Sequence, residues 1–293
     1  MNSDLVAGMA ALVPDGGEPV VLALRGDVVV VRIGDVVLKA HEPDADLAVL
    51  SARMRLAADP RLRDLLLPPL EVSPVLVNGR VVTKWPLGKP VPERDPETAP
   101  LEEAGRLLAD LHRFGPADFV GVQPPSGAPH RMARTVVDLR RSGLGGAAEV
   151  VLRAFDTLPP VDAPTHLTVC HGDWHLGQMV EAGGWRLIDV DDLGMGDPAW
   201  DLARPAALHA AGVLDPETWG RFLDAYTAAG GVAVSAHDPW ATLDVPARAL
   251  VVQMAARALL AAQRDEKALD EAQEALVETC DRIVAAHPHM ARG

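Results

Sequence analysis

The sequence predicts an α+β protein in two lobes: a small mixed N-lobe with an antiparallel sheet over residues 1–88, and a larger, mainly helical C-lobe over 89–293. Three observations predict it. Runs of β-branched residues broken by glycine turns fill the first part of the chain, a stiff Pro86-Leu87-Gly88-Lys89-Pro90 stretch follows, and apolar residues recur at helical spacing through much of the remainder.

Residues 18–40 (EPVVLALRGDVVVVRIGDVVLKA) read as hairpin strands cut at Arg25-Gly26-Asp27 and Gly34-Asp35. From Asp44 to about Leu67 the pattern turns helical, with Leu47, Leu50, Met54 and Ala57 at three- and four-residue steps and Pro68-Pro69 as the stop. Two strands follow around Val75–Val77 and Val81–Trp85, joined by Asn78-Gly79, a strong two-residue hairpin signal. Residues 86–90 read as an extended connector between lobes. Leu101–His112 is an amphipathic helix, 116–130 a Pro- and Gly-rich loop, 131–142 and 146–156 helices, 166–190 a strand–loop–strand unit, and mostly helix follows.

Composition narrows the function. Of 293 residues, 48% are hydrophobic and 23% charged, as in ordinary globular proteins. The net charge of −14 argues against a general nucleic-acid binder, since an acidic surface repels phosphate backbones. Cys170 and Cys280 form no C-x-x-C pair, so neither a zinc site nor a disulfide framework is expected, and a reducing cytoplasm suits the chain. The start Met-Asn-Ser-Asp-Leu lacks the basic segment of a signal peptide, and no uninterrupted apolar run reaches ~18 residues, so no membrane partner is expected. The expected partners are small molecules, and the expected state is a monomer or weak homodimer.

The informative stretch is His171-Gly172-Asp173-Trp174-His175-Leu176-Gly177-Gln178, followed across the Gly183-Gly184 turn by Trp185-Arg186-Leu187-Ile188-Asp189. Phosphoryl transfer needs an acceptor oxygen in line with phosphorus, a base for its proton and magnesium on the phosphate oxygens. Protein kinases place the base Asp five positions before a metal-binding amide, with a second metal-binding Asp further on. Here Gln178 follows Asp173 by five, and Asp189 returns on the next strand. A carboxylate and an amide oxygen are both hard donors suited to Mg²⁺.

These residues resemble the aminoglycoside phosphotransferase and choline kinase superfamily, whose loop runs His-Gly-Asp-x-His-x-x-Asn, followed by Ile-Asp-(Trp/Phe). Gly196-Asp197-Pro198-Ala199-Trp200-Asp201-Leu202-Ala203 is similar to that family's Gly-Asp-Pro-x-x-Asp-Leu-Ala signature. The departure is Gln178, where the family has Asn. His-Leu-Gly-Gln resembles the actinobacterial maltokinase branch and its shorter relatives, the glucosamine kinases. The resemblance implies a bilobal eukaryotic-protein-kinase-like fold, with ATP and Mg²⁺ as cofactors. It implies Asp173 as base, Gln178 and Asp189 on the metal, Lys39 on the α/β-phosphates, and Trp85 and Leu87 beside the adenine. The implied reaction is phosphorylation of glucosamine at its 6-hydroxyl.

Blander roles compete at each position. Asp173 can be a turn aspartate, Gln178 a surface amide and Lys39 a solvated edge charge. Asp191 and Asp192 compete with Asp189 for metal. The carboxylate partner of Lys39 stays open, with Asp46 and Glu42 both early in position, and no G-x-G-x-x-G covers the phosphates. His171 is expected to hold the loop by hydrogen bonds and Asp201 to accept its backbone N–H groups. For the acceptor the candidates are His175, Asp197, Trp200, Glu278 and Asp281, with Trp174 as another apolar wall. The acidic face of the last helix reads first as a solvated stripe, and second as a surface overlooking the acceptor pocket. Competing functions are an aminoglycoside or other amino-alcohol kinase, a nucleotide-binding pseudokinase and, on His171-x-Asp173-x-His175 alone, a metal-dependent hydrolase.

Overall fold

The computed structural model describes residues 2–92, 99–160 and 166–286. The chain forms two compact units, one of Met1–Ala99, Gly121–Pro124 and Leu176–Leu193, the other of Pro100–Val120, Pro125–His175 and Gly194–Gly293.

In the first unit, β1 (Val20–Arg25), β2 (Val28–Ile33), β3 (Val36–Ala40), β4 (Val75–Val77) and β5 (Arg80–Pro86) build a five-stranded antiparallel sheet in the order β1-β2-β3-β5-β4. The β4–β5 turn is the predicted one. Asn78 and Gly79 both have positive φ (49° and 77°), which a two-residue turn matched to strand twist requires. A helix absent from the sequence-based prediction, α1 (Asn2–Ala10), sets Leu5 and Met9 against Val29, Val31, Leu38 and Val82.

α2 spans Leu47–Ala57 and packs Leu50 and Met54 on Val81. It ends ten residues before the predicted Leu67. Pro60 disfavours helical backbone at the residue before it, and the Asp59 carboxylate instead accepts the Arg61 N–H at 3.0 Å. Leu62, Leu65, Leu66 and Leu67 remain buried, which is why the apolar spacing outlasted the helix.

The predicted connector is itself part of a sheet. β6 (Lys89–Pro90) pairs with β8 (Met179–Glu181), which pairs with β9 (Trp185–Leu187). Gly88 lies so close to β8 that a Cβ there would stand 2.4 Å from Val180 Cγ2, so only glycine fits.

The second unit is helical around one short antiparallel pair, β7 (Thr168–Cys170) with β10 (Gly194–Gly196). α3 (Leu101–Leu111) packs on α7 (Pro216–Ala228). α8 (Trp240–Asp265) packs on α6 (Ala199–Ala210), α9 (Glu271–Ala286), α4 (Ala128–Ser142) and α5 (Ala147–Asp156). Among the described residues α8 has the length and apolarity to cross a membrane, but 56% of its apolar window is buried inside the protein, as a core helix requires. α4 starts three residues earlier than predicted, inside the expected loop.

Candidate active site

Two clusters of polar side chains stand out, one in each unit. In the first, β3 carries Lys39 with its side chain only 14% exposed, and its Nζ lies 2.6 Å from Asp189 Oδ1 and 2.8 Å from Asp191 Oδ2. Burial alone would lower the ammonium pKa; Asp191 and Asp189 outweigh it and hold the pKa above the ordinary lysine value. Burial likewise works to raise the Asp191 carboxyl, and Lys39 and then His41 overcome it and hold it far below the usual range. Neither of the two early candidates for the partner of Lys39 serves. Asp46 is the N-cap of α2, accepting from Ala48 N at 2.8 Å and Val49 N at 3.1 Å, and Glu42 makes no ion pair with the lysine.

Gln178, buried on the 3-10 turn Leu176–Gln178, donates Nε2 to Asp189 Oδ2 at 3.3 Å. The β8–β9 hairpin makes this meeting, with Ile188 N donating to Gln178 O at 2.9 Å. Asp189 itself has left-handed backbone (φ 61°), an uncommon conformation for a residue with a side chain and one that concentrates at functional positions. Lys39, Gln178, Asp189 and Asp191 line a cavity of about 390 Å³ together with Trp85 and Leu87. The cavity is otherwise mostly apolar, with Val30, Val37, Val180 and Ile188 among its walls. The structure therefore gathers all the residues predicted for nucleotide and metal around one cavity. The Leu87 N–H is already given to Asp35 O at 2.8 Å.

In the second unit, β7 delivers the loop 171–175. Asp201, fully buried on α6, accepts His171 N at 2.6 Å and Gly172 N at 2.7 Å, as predicted, and His112 Nε2 lies 3.0 Å away. His112 Nδ1 in turn bonds Tyr226 Oη at 2.8 Å. His112, Cys170 and Asp201 have the elements of a metal cluster, but both His112 nitrogens and both Asp201 oxygens already hold hydrogen bonds. Asp201, steadied by His112, is a brace for the loop.

Burial pushes the Asp201 carboxyl up, while His112 and the loop N–H groups outweigh it and keep its pKa below normal. Its contribution to stability is therefore complete above the ordinary carboxylate value of about 3.9 and is lost as pH falls through the lower folded value. Asp201→Ala leaves two buried N–H groups and His112 without this partner, and a loss of about 3–5 kcal/mol is expected in denaturant unfolding.

Asp173 is held by two arginines that sequence reasoning missed. Arg131 Nη2 from α4 lies 3.0 Å and Arg204 Nη2 from α6 lies 2.5 Å from the same oxygen, Oδ1. Arg131 also donates to Gly172 O at 2.8 Å. Burial raises the Asp173 carboxyl; Arg131, Arg204 and His175 together carry it below the ordinary range. Arg204 had a readable signal, standing one turn beyond Asp201 in the same helix, whereas nothing near Arg131 in sequence marks it.

The residues predicted for the acceptor differ in exposure. His175 is half-buried and acts electrostatically on Asp173. Asp197 accepts Ala199 N at 2.9 Å at the start of α6, and burial raises its carboxyl. Trp200 is 5% exposed and Trp174 4%, the latter stacked on Phe222 at 4.9 Å, so both rings are core and offer a ligand little surface. α9 buries Leu276, Thr279, Cys280 and Ile283 and leaves Glu278 and Asp281 exposed.

The fold and the motif residues define a phosphotransferase. Residues 25–245 match the phosphotransferase enzyme family, and the chain belongs to it. No relative is found among curated protein sequences. A choline/ethanolamine kinase family protein from Mesorhizobium loti superposes with TM-score 0.66 at 19% identity, over 99% of each chain. Macrolide 2'-phosphotransferase from Brachybacterium faecium gives TM-score 0.54 at 19% identity, over 96% of this chain and 97% of that one. A thermostable mutant of an aminoglycoside phosphotransferase, in ternary complex with AMP-PNP and hygromycin B, gives 0.61 at 14% identity, over 97% and 98%. The mixed α+β architecture predicted from the sequence is the fold these proteins share.

Proposed function

We propose that the chain is an ATP- and magnesium-dependent kinase of a small hydroxylated acceptor, with Asp173 as base. The observation that supports it most is the cavity that has Trp85 and Leu87 among its walls and also presents Lys39, Gln178 and Asp189. A purine suits the apolar walls, and the charged residues suit phosphates. The oxygen donors of Asp189 and Gln178 fit magnesium, provided Gln178 presents its carbonyl oxygen in place of the Nε2 that now faces Asp189. Magnesium, when bound, spreads the charge on the phosphate oxygens.

In this reading Lys39 leaves its carboxylates in part to pair with phosphate. Asp173 accepts the acceptor's hydroxyl proton on Oδ2 while its Oδ1 stays with Arg131 and Arg204. Lys39→Ala is expected to raise KM for ATP about tenfold or more and to leave KM for the acceptor little changed. An effect confined to the acceptor in steady-state kinetics would overturn the lysine's role.

Glucosamine, phosphorylated at its 6-hydroxyl, is the acceptor we place first, on the resemblance of His-Leu-Gly-Gln to the glucosamine kinases. Its ammonium lies across the ring from that hydroxyl, away from the two guanidiniums, and needs a carboxylate such as Asp197, Glu278 or Asp281. An aminoglycoside or amino-alcohol acceptor is the competing reading, because the structural neighbours include enzymes of those classes. A phosphorylation screen with ATP and Mg²⁺ over amino sugars, neutral sugars, aminoglycosides and choline decides between them. Turnover of glucose as fast as glucosamine removes the amino-sugar assignment, and no turnover on any acceptor leaves a nucleotide-binding pseudokinase.

A further inference from the structure

In kinases Lys39's counterpart is steadied by an acid on the helix after its strand. Here that helix, α2, has no Asp or Glu between Leu47 and Ala57, and its N-cap Asp46 is occupied with Ala48 and Val49. What α2 offers instead is a cation. Arg53 donates Nε to Leu193 O at 3.1 Å and Nη1 to Asp191 O, holding the backbone of the segment that follows Asp189.

That segment turns the Asp191 carboxylate back onto Lys39 at 2.8 Å. The other Asp191 oxygen, Oδ1, meets His41 Nδ1 at 3.3 Å. His41 is buried on the first position after β3, and its Nε2 bonds Thr83 Oγ1 at 2.9 Å. Thr83 Oγ1 also accepts from Trp85 Nε1 at 2.9 Å. A continuous line of polar contacts thus runs Lys39–Asp191–His41–Thr83–Trp85. Both of its ends, Lys39 and Trp85, line the cavity.

We propose that Asp191 is the anchor of Lys39 in place of a helix carboxylate, and that His41 is the positioning residue that fixes Asp191. The geometry divides the two carboxylates by task. Asp189 faces Gln178 as well as Lys39, whereas Asp191 faces Lys39 and His41. With Asp191 in place, Lys39 keeps a partner when Asp189 turns to a metal ion. Without it, the lysine and the metal compete for Asp189. The chain of bonds through Thr83 ties the lysine to the indole at the other end of the line, so both reach a nucleotide already set.

The inference rests on the kinase reading, and the two fail separately. Calorimetric titration of ADP into the full chain, in EDTA and again in excess Mg²⁺, separates an anchor from a metal ligand. Asp191→Asn, nearly isosteric, is expected to weaken Mg²⁺-free ADP binding about 3- to 10-fold, the scale of one charge-assisted bond in a partly exposed site. His41→Leu should weaken it in the same direction, and His41→Asn, which keeps a side-chain donor toward Asp191, should recover part of the loss. In steady state KM for ATP should rise with kcat much less affected. Circular dichroism of each variant checks that the sheet has formed. Unchanged Mg²⁺-free affinity in Asp191→Asn, with a loss only when Mg²⁺ is present, makes Asp191 a metal ligand and overturns the anchor. Equal affinity of His41→Leu and wild type overturns the role of His41. If the wild type binds no ADP in either condition, the kinase reading falls and the inference with it.

Discussion

Asp173→Asn is expected to reduce turnover by ~10²–10⁴-fold, the usual contribution of a general base, with ATP affinity and fold retained. The amide keeps an oxygen for Arg131 and Arg204, so the loop loses the base and keeps one hydrogen-bonding partner for its arginines. A variant with more than a tenth of the wild-type kcat removes Asp173 from the mechanism. The two guanidiniums also set the pH behaviour. Because they hold the carboxyl below its ordinary value of about 3.9, Asp173 stays ionised throughout the neutral and mildly acidic range. An acid limb in kcat/KM near pH 6 must then belong to another group. Arg204→Gln should raise the Asp173 pKa by removing one of its cations, so any acid limb owed to Asp173 moves to higher pH.

Asp189→Ala should raise the Mg²⁺ concentration needed for half-maximal activity and reduce kcat/KM for MgATP by a similar order, since it deletes a full charge from the cation's donor set. Gln178→Ala should shift the same titration less, because an amide contributes a dipole rather than a charge. Both substitutions also disturb the lysine or its partner, so the discriminating readout is the metal titration itself. If neither variant shifts it, magnesium is held elsewhere, and Asp192 is the next carboxylate to test.

The candidate site was legible where its residues are neighbours in sequence. Gln178 and Asp189 face each other across a tight hairpin, so their spacing alone predicted that they meet. Asp201 was readable for the same reason, in a run of eight familiar residues. What sequence could not supply were contacts set by packing. Asp191 was visible as a possible metal ligand, but its pairing with Lys39 depends on a sheet and a hairpin separated by some 150 positions. Arg131 reaches Asp173 from a helix about 40 residues earlier, in a stretch partly read as loop. The acceptor residues fared least well, because exposure decides them. Trp174 and Trp200 looked like ligand walls and are packed into the core. α2 ends earlier than the spacing predicts because the buried leucines after Pro60 lie in turns (Leu62, Leu65) or against Leu187 (Leu66, Leu67) and not in a helix.

The brace beneath the loop has a consequence for how the protein is made. The residues from His171 to Gln178 leave the ribosome before the carboxylate, at position 201, that receives the backbone N–H groups of His171 and Gly172. His112, synthesised long before, waits for both Asp201 and Tyr226, and Tyr226 Oη is itself fixed by Ala233 N at 3.0 Å. A nascent chain that has emerged only to residue 200 thus has every residue of the loop motif and none of this support. The order of synthesis delays a formed loop until α6 and then α7 have been made, which leaves its polar backbone exposed to chaperones and proteases in the interval.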